Sequence, residues 1–233
     1  NFKDFKNIQN NKSVKKIMTL DEELEIILEF AENKPNSLVR SNKTLLSYSD
    51  NEKKKYSYAS TEHETVLKKK LIKGRKKIFK KPKTFPDLAV YEFLKENKDY
   101  SDEIIQNVIQ YHYDAMGAEN ILGHFLEEFI NENKEDDSWI WCSGSVVDKI
   151  DFIQKVENEN EETSWRALQI KASSNTENSS SSEVRENTEI LFWCRRNATK
   201  KNSQNWGKLQ EFISNENLNE ENFLEFLREK AKN

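Results

Sequence analysis

DFIQKVENENEETSWRALQIKASSNTENSSSSEVR, residues 151–185, is the stretch whose reading decides the fold. Within it, WRALQIKAS is rich in residues that suit a strand, where side chains two apart share a face. Gln169 and Lys171 therefore point one way, and Leu168 and Ile170 point into a core. Upstream, VVDKIDFIQ at 146–154 reads as the neighbouring strand, with Val147, Ile150, Phe152 and Ile153 supplying apolar bulk. The acidic turn ENENEE at 157–162 joins the two as a hairpin. Paired in this way, the strands bring Asp151 beside Gln169 and Lys171, so that a carboxylate, an amide oxygen and an ammonium meet at one strand end. Metal-dependent phosphodiester hydrolysis uses such a set. Magnesium prefers oxygen ligands and keeps several waters, and a bound metal generates hydroxide and stabilises charge on the phosphate. The lysine orients the attacking water or stabilises the developing negative charge. The bland alternative makes Asp151 a solvated turn acid and leaves Gln169 and Lys171 as surface residues.

The surrounding sequence weighs against the bland alternative. Asp151, seventeen residues, then Gln169-x-Lys171 resembles the PD-(D/E)xK nuclease signature, with Gln where Glu is usual. Together with GHFLEEFI at 123–130, LQIKASSNTENSSSSEVR at 168–185 and QNW at 204–206, it resembles the SinI-type restriction endonucleases, which cut GGWCC. The similarity covers roughly residues 115–210; the first hundred residues show no matching pattern. The resemblance implies an α/β fold, a PD-(D/E)xK nuclease core with a mixed central sheet flanked by helices and a helical N-terminal region. It implies a type II restriction endonuclease that needs Mg2+ and acts on double-stranded DNA. A homodimer is expected, because both strands of a near-palindrome must be cut. A cognate DNA methyltransferase is expected as a functional partner rather than in a stable complex.

On this reading Asp151, Gln169 and the adjacent Ile170 hold the metal, and Lys171 supports the attacking water. Gln169 is neutral, so the site has one negative charge fewer than the usual signature. The Gln169 carbonyl ligates the metal, or one metal suffices, or a helix carboxylate completes the site. Glu127 and Glu128 are the candidates for the last role. Leu122, Phe125, Leu126 and Phe129 form the buried stripe of their helix. Glu128 lies nearer that stripe, whereas Gly123-x-x-x-Glu127 is similar to the helix spacing of many nucleases of this superfamily.

The loop after the second strand is the expected reader of DNA. Ser173, Asn175, Glu177 and Asn178 lead into Ser179, Ser180, Ser181 and Ser182, and Arg185 closes the run. Asn suits adenine, Arg suits guanine, and Ser donates or accepts at base or phosphate. Serine runs are ordinarily flexible linkers. Here the run follows the catalytic strand with almost no spacer and ends on an arginine, which favours recognition. TEILFWCRR at 188–196 reads as a strand or a short helix, with Phe192 and Trp193 in the core and Arg195 and Arg196 available to phosphate or guanine. Asn205, within QNW, joins the DNA-binding set.

Residues 68–83 read KKKLIKGRKKIFKKPK, ten of sixteen being Lys or Arg and none acidic. Such a block is a solvated face or a phosphate-contacting surface, the latter through Lys76 and Lys77. The net charge of −4 over 233 residues says nothing for DNA by itself; the asymmetry of its distribution does. The expected division is a mainly helical region over 1–110, with possible DNA-backbone contacts, and a nuclease core with its recognition loop and C-terminal helices over 111–233.

Helix starts are marked by the capping boxes Thr19-Leu-Asp-Glu22 and Thr61-Glu-His-Glu64 and by the cap Ser101. Gly117 is expected to interrupt the helix that Ser101 opens. His112 and His124 have ordinary packing or surface roles. No run of about eighteen apolar residues suggests a membrane span, and no signal peptide pattern is present. Cys142 and Cys194 have no metal-like spacing, so reduced thiols in a cytoplasmic protein are expected. Two rivals remain: a repair-type nuclease of the same fold, and a catalytically silent DNA-binding module in which Gln169 records lost metal binding.

Overall fold

The computed structural model describes residues 18–33, 61–80, 87–135, 138–147, 149–157, 163–174, 190–201 and 203–232. Helix α1 spans Leu20–Asn33 and opens on the expected capping box. The Glu22 amide donates to Thr19 Oγ1 at 3.3 Å and the Thr19 amide to Glu22 Oε2 at 2.7 Å, which satisfies two otherwise orphaned donors. Helix α2 spans Thr61–Arg75, and the side chains of its proposed box lie outside the described set. Helix α3, Leu88–Lys98, is capped by Asp87, which accepts from the Ala89 amide at 2.9 Å.

Helix α4 runs from Asp102 to Asn133 and is capped by Ser101. Its 32 residues are unbroken, so Gly117 does not interrupt it. A mid-helix glycine costs only about 1 kcal/mol relative to alanine. The Phe79 ring lies close to this one: a Cβ at Gly117 would be 2.9 Å from it. The boundary expected after residue 110 consequently falls inside one rigid helix.

Among the described residues four strands form a mixed sheet in the order β1-β2-β3-β4: Trp139–Trp141, Phe152–Glu157, Thr163–Ser173 and Ile190–Arg196. The first two pairings are antiparallel and β3–β4 is parallel. Strand alternation sends neighbouring residues into two separate cores. Ile140, Ile153 and Ala167 pack with Leu24, Ile27, Leu67 and Leu71 of α1 and α2. Trp139, Trp141, Phe152, Leu168, Ile170 and Trp193 pack on the other face with Leu126, Phe129 and Ile130 of α4. The N-terminal helices thus supply one of the two layers on the sheet. Val147 and Ile150 are buried as expected, but they precede β2, which begins only at Phe152.

The segment at 190–196 is a strand, not a helix. Helix α5, Trp206–Gln210, and helix α6, Glu220–Lys230, close the second core. Trp206 packs edgewise on Phe129 at 5.9 Å and against Phe223 at 5.8 Å, so the apolar stripe of α6 faces inward through Phe223. By alternation Arg195 shares the face of Trp193. It is buried, its Nη1 is 2.6 Å from Glu220 Oε1, and its guanidinium lies over Phe223 at 5.3 Å. Arg196 points the other way and is exposed. Among the described residues no helix is long and apolar enough to cross a membrane. Cys142 and Cys194 are free thiols, the first buried.

Two glycines lock α2 to the end of β1. A Cβ on Gly74 would come within 2.2 Å of the Gly144 nitrogen. Gly144 has φ +75° in the 3-10 turn after β1, and a Cβ there would meet the Lys70 carbonyl oxygen at 2.2 Å. Ser143 Oγ adds a hydrogen bond to the Leu71 carbonyl at 3.1 Å. We expect Gly74→Ala to destabilise the protein by about 1–3 kcal/mol, because backbone stands where the methyl would go. Urea denaturation measures this, and an unchanged midpoint would contradict the contact.

Candidate active site

Asp151 is where β1, β2 and β3 converge. Its amide donates to the Leu168 carbonyl at 2.9 Å, and its own carbonyl accepts from the Cys142 amide at 2.8 Å. Its carboxylate accepts the Ile170 amide at 2.7 Å, in the position of the next ladder partner. The side chain thus continues a ladder that the backbone leaves. Gln169 and Lys171 flank Ile170 on β3, as the alternation requires. Gln169 Oε1 is buried and has no hydrogen-bond partner among the described residues. An orphaned acceptor of this kind needs an explanation, and a cation is one. Lys171 is near enough for its charge to lower the Asp151 pKa.

The second carboxylate comes from α4. Glu127 Oε2 accepts the Trp141 indole N–H at 2.9 Å. Burial raises the Glu127 pKa to about 8, with the nearby Asp151 charge adding to the effect, while the Trp141 N–H and Lys77 oppose it. Burial raises Asp151 to about 6, against the pull of the Ile170 amide, Lys77 and Lys171. The two carboxyls titrate as a pair that retains a proton near neutrality. Desolvated carboxylates with an orphaned amide oxygen make a fitting oxygen donor set for a hard divalent cation. Among the described residues no cluster of three or more His, Cys, Asp or Glu that could hold a metal ion exists.

Glu128 faces elsewhere. It pairs with Lys230 of α6 at 2.9 Å and lies 3.9 Å from His124. His124 is buried, stacks on Trp141 at 5.6 Å, and has its pKa lowered by burial. It therefore packs in its neutral form, and His112 is exposed.

Two clefts border the elements that carry these residues. One of about 520 Å3 runs between the end of α2 and the middle of α4, lined by Lys73, Lys76, Lys77, Lys80 and Asn120. Lys77 reaches far enough to act on Asp151, Glu127 and His124, which spacing along the chain could not reveal. The other, of about 330 Å3, lies where β3 and β4 end, and Arg196, Asn197, Lys200 and Asn205 line it with Ser174. The Ser174 amide donates to the Arg196 carbonyl at 3.0 Å, and Ser173 pairs with Arg196 in the sheet. Asn175, Glu177, Asn178, Ser179, Ser180, Ser181, Ser182 and Arg185 lie outside the described residues. Trp141 is a site neighbour that no motif in the sequence singled out. Its indole nitrogen was the available signal, since a buried Trp N–H ordinarily finds an acceptor.

The family model described as SinI restriction endonuclease matches residues 10–232. The chain is 40% identical over 147 residues to the type II restriction enzyme Eco47I of Escherichia coli, a match covering 63% of this chain and 62% of that protein. It is 38% identical over 146 residues to the type II restriction enzyme SinI of Salmonella infantis, with the same coverage of 63% and 62%. The matched stretch thus spans less than two thirds of either relative.

The raised carboxyl pKa values set the pH dependence of metal-free stability. Unfolded, the two groups titrate at about 4; folded, at about 6 and about 8. Between these limits the folded state holds more protons, so their contribution is greatest below the unfolded pKa and is lost as pH rises to about 8. Urea denaturation without metal should show the parent losing stability relative to Glu127→Gln between about pH 5 and pH 8. Parallel profiles would mean that Glu127 is not a buried, proton-retaining carboxyl.

Proposed function

The chain belongs to the SinI restriction endonuclease family, and from that membership we propose that it is a type II restriction endonuclease. It hydrolyses phosphodiester bonds of double-stranded DNA at a fixed sequence, GGWCC, with Mg2+ as cofactor and as a homodimer. Its core is of the PD-(D/E)xK type, paired in the cell with a methyltransferase that protects the same sequence. The observation that supports the reading is that the buried Asp151 and Glu127 carboxyls lie near enough to interact, while β3 carries a buried Gln169 Oε1 with no hydrogen-bond partner among the described residues.

In this reading Asp151, Glu127 and Gln169 Oε1 hold the cation, with Ile170 contributing through its backbone. Magnesium, when bound, supplies Lewis-acid stabilisation of the phosphate and lowers the pKa of water. Burial favours the protonated form of both carboxyls and a cation would need them ionised, so metal affinity would rise with pH. The Ile170 amide fixes one Asp151 oxygen, which orients the carboxylate before metal arrives. Lys171, two residues past Gln169, orients the attacking water or stabilises charge developing on the phosphate. Glu127 compensates for the missing charge of Gln169, which the usual signature would supply from the strand itself. The lysine cleft takes the DNA backbone, and Arg196 and Asn205, at the root of the Ser-Asn loop, contribute to recognition.

Digestion of a sequenced plasmid with magnesium, followed by end mapping, tests the reading. Discrete fragments with GGWCC at their ends are expected. A smear would favour the repair-type nuclease, and binding without cleavage across several divalent metals the silent module.

Within that assay Asp151→Ala and Lys171→Ala should each abolish cleavage with specific binding largely retained. Gln169→Glu adds a charge that attracts a divalent cation strongly in a partly buried site. It should keep some activity and reach half-maximal cleavage at lower magnesium. Tighter metal binding need not accelerate the reaction. Gln169→Ala should lose most activity; if it matches the parent at every metal concentration, Gln169 is not a ligand.

Replacing Lys73, Lys76, Lys77 and Lys80 by Gln should weaken binding to all DNA alike and reduce its salt dependence, because each lost phosphate contact removes roughly one unit of slope. Unchanged affinity at low salt would make the cleft a solvated surface only.

A further inference from the structure

The Glu127 carboxylate is not free to choose its position. Its Oε2 accepts from the Trp141 indole nitrogen at 2.9 Å. Trp141 is the last residue of β1, is 2% exposed, and is held on several sides. The His124 imidazole stacks on it at 5.6 Å with 29° between the planes. The Arg75 guanidinium lies over the ring at 5.5 Å. Arg75 is fixed in turn by Glu23 of α1, with Nη2 2.5 Å from Glu23 Oε2, and Glu23 is itself buried. A single donor is thereby immobilised by elements from both sides of the sheet. Indole N–H donates only, so it matches a carboxylate oxygen and leaves the other Glu127 oxygen for a cation.

We propose that Trp141 is a positioning residue of the metal centre, which orients the Glu127 carboxylate through its indole N–H. The proposal rests on the reading of Glu127 as a metal ligand. Nothing is transferred through the ring. Its role is geometric: partners that hold a metal-ligating side chain in place commonly contribute 10–100-fold to metal affinity. Glu128, the next residue of α4, is held instead by Lys230. Charged neighbours that act on Glu127 are Asp151 and Lys77, and neither replaces a fixed donor.

The test is Mn2+ binding to the full-length protein, followed by electron paramagnetic resonance in parent, Trp141→Phe, Glu127→Ala and the double variant. Trp141→Phe keeps the ring and removes the donor. It should weaken Mn2+ binding roughly tenfold. In the Glu127→Ala background the same change should have no further effect, because the group it orients is gone. Cleavage by Trp141→Phe should recover at high metal with kcat near the parent's, a split that general misfolding would not give. If Glu127→Ala binds Mn2+ like the parent, the ligand reading falls, and the proposal with it. If Glu127→Ala loses affinity while Trp141→Phe does not, the ligand reading stands and the positioning role is overturned.

A second measurement does not depend on the Phe variant folding. In 15N-labelled protein, the indole resonance that moves in Glu127→Gln should also move with added Mg2+, at the concentration where the metal binds. Four other tryptophans, at 139, 165, 193 and 206, serve as internal references. An indole spectrum indifferent to both changes would overturn the proposal.

Discussion

Three hydrogen bonds made by Asp151 hold the sheet and the candidate site in one frame. Its amide and carbonyl tie the start of β2 to Leu168 on one side and to Cys142 on the other. Its carboxylate then takes the Ile170 amide, a role an interior strand residue would give to its backbone. The group that would hold a cation is thus also a piece of the sheet. Such a site is stiff, because moving the carboxylate frees a buried amide, and unpaired buried donors cost about 1–3 kcal/mol.

That stiffness coexists with unfavourable electrostatics. Two desolvated carboxyls close enough to raise each other's proton affinity are a poor arrangement for a metal-free fold. The donors around them only partly offset this: the Ile170 amide, the Trp141 indole and the charges of Lys77 and Lys171. Both apolar cores are therefore needed beneath the site. The aromatic group of Phe129, Trp193, Trp206 and Phe223 braces α4 from behind, and α1 with α2 braces the opposite face. A chain with a heavily charged surface and modest apolar content concentrates its burial where the carboxylates need support.

Local pattern made much of this legible. Alternation in WRALQIKAS placed Leu168 and Ile170 in the core with Gln169 and Lys171 beside Asp151, and the capping box at Thr19 and the cap Ser101 marked the helix starts. What stayed hidden depended on distant parts of the chain meeting. Glu127 and Glu128 are adjacent in sequence and could be told apart only by their partners, Trp141 for one and Lys230 for the other. Arg195 and Arg196 read as equivalent until strand alternation turned the first toward Glu220. Gly117 read as a break because the ring close to it, Phe79, lies 38 residues upstream, 117 minus 79. Capping, turn and period are short-range effects; a close approach by another segment's side chain is not.

The contact between Gly74 and Gly144 has a consequence for how variation in this family would be interpreted. Each glycine excludes a side chain because of the other's surroundings, and Gly144 also needs a left-handed backbone. Neither position has a compensating substitution at its partner, since enlarging one never makes room for the other. In a saturation library selected for activity, both would emerge as intolerant as any residue of the site. An investigator ranking positions by intolerance would place them among the chemical groups, although glycine offers no side chain to metal, base or phosphate. Intolerance at this pair measures how closely two backbones pass, and it would be a sensitive marker of whether another chain keeps the same junction between its N-terminal helices and its sheet.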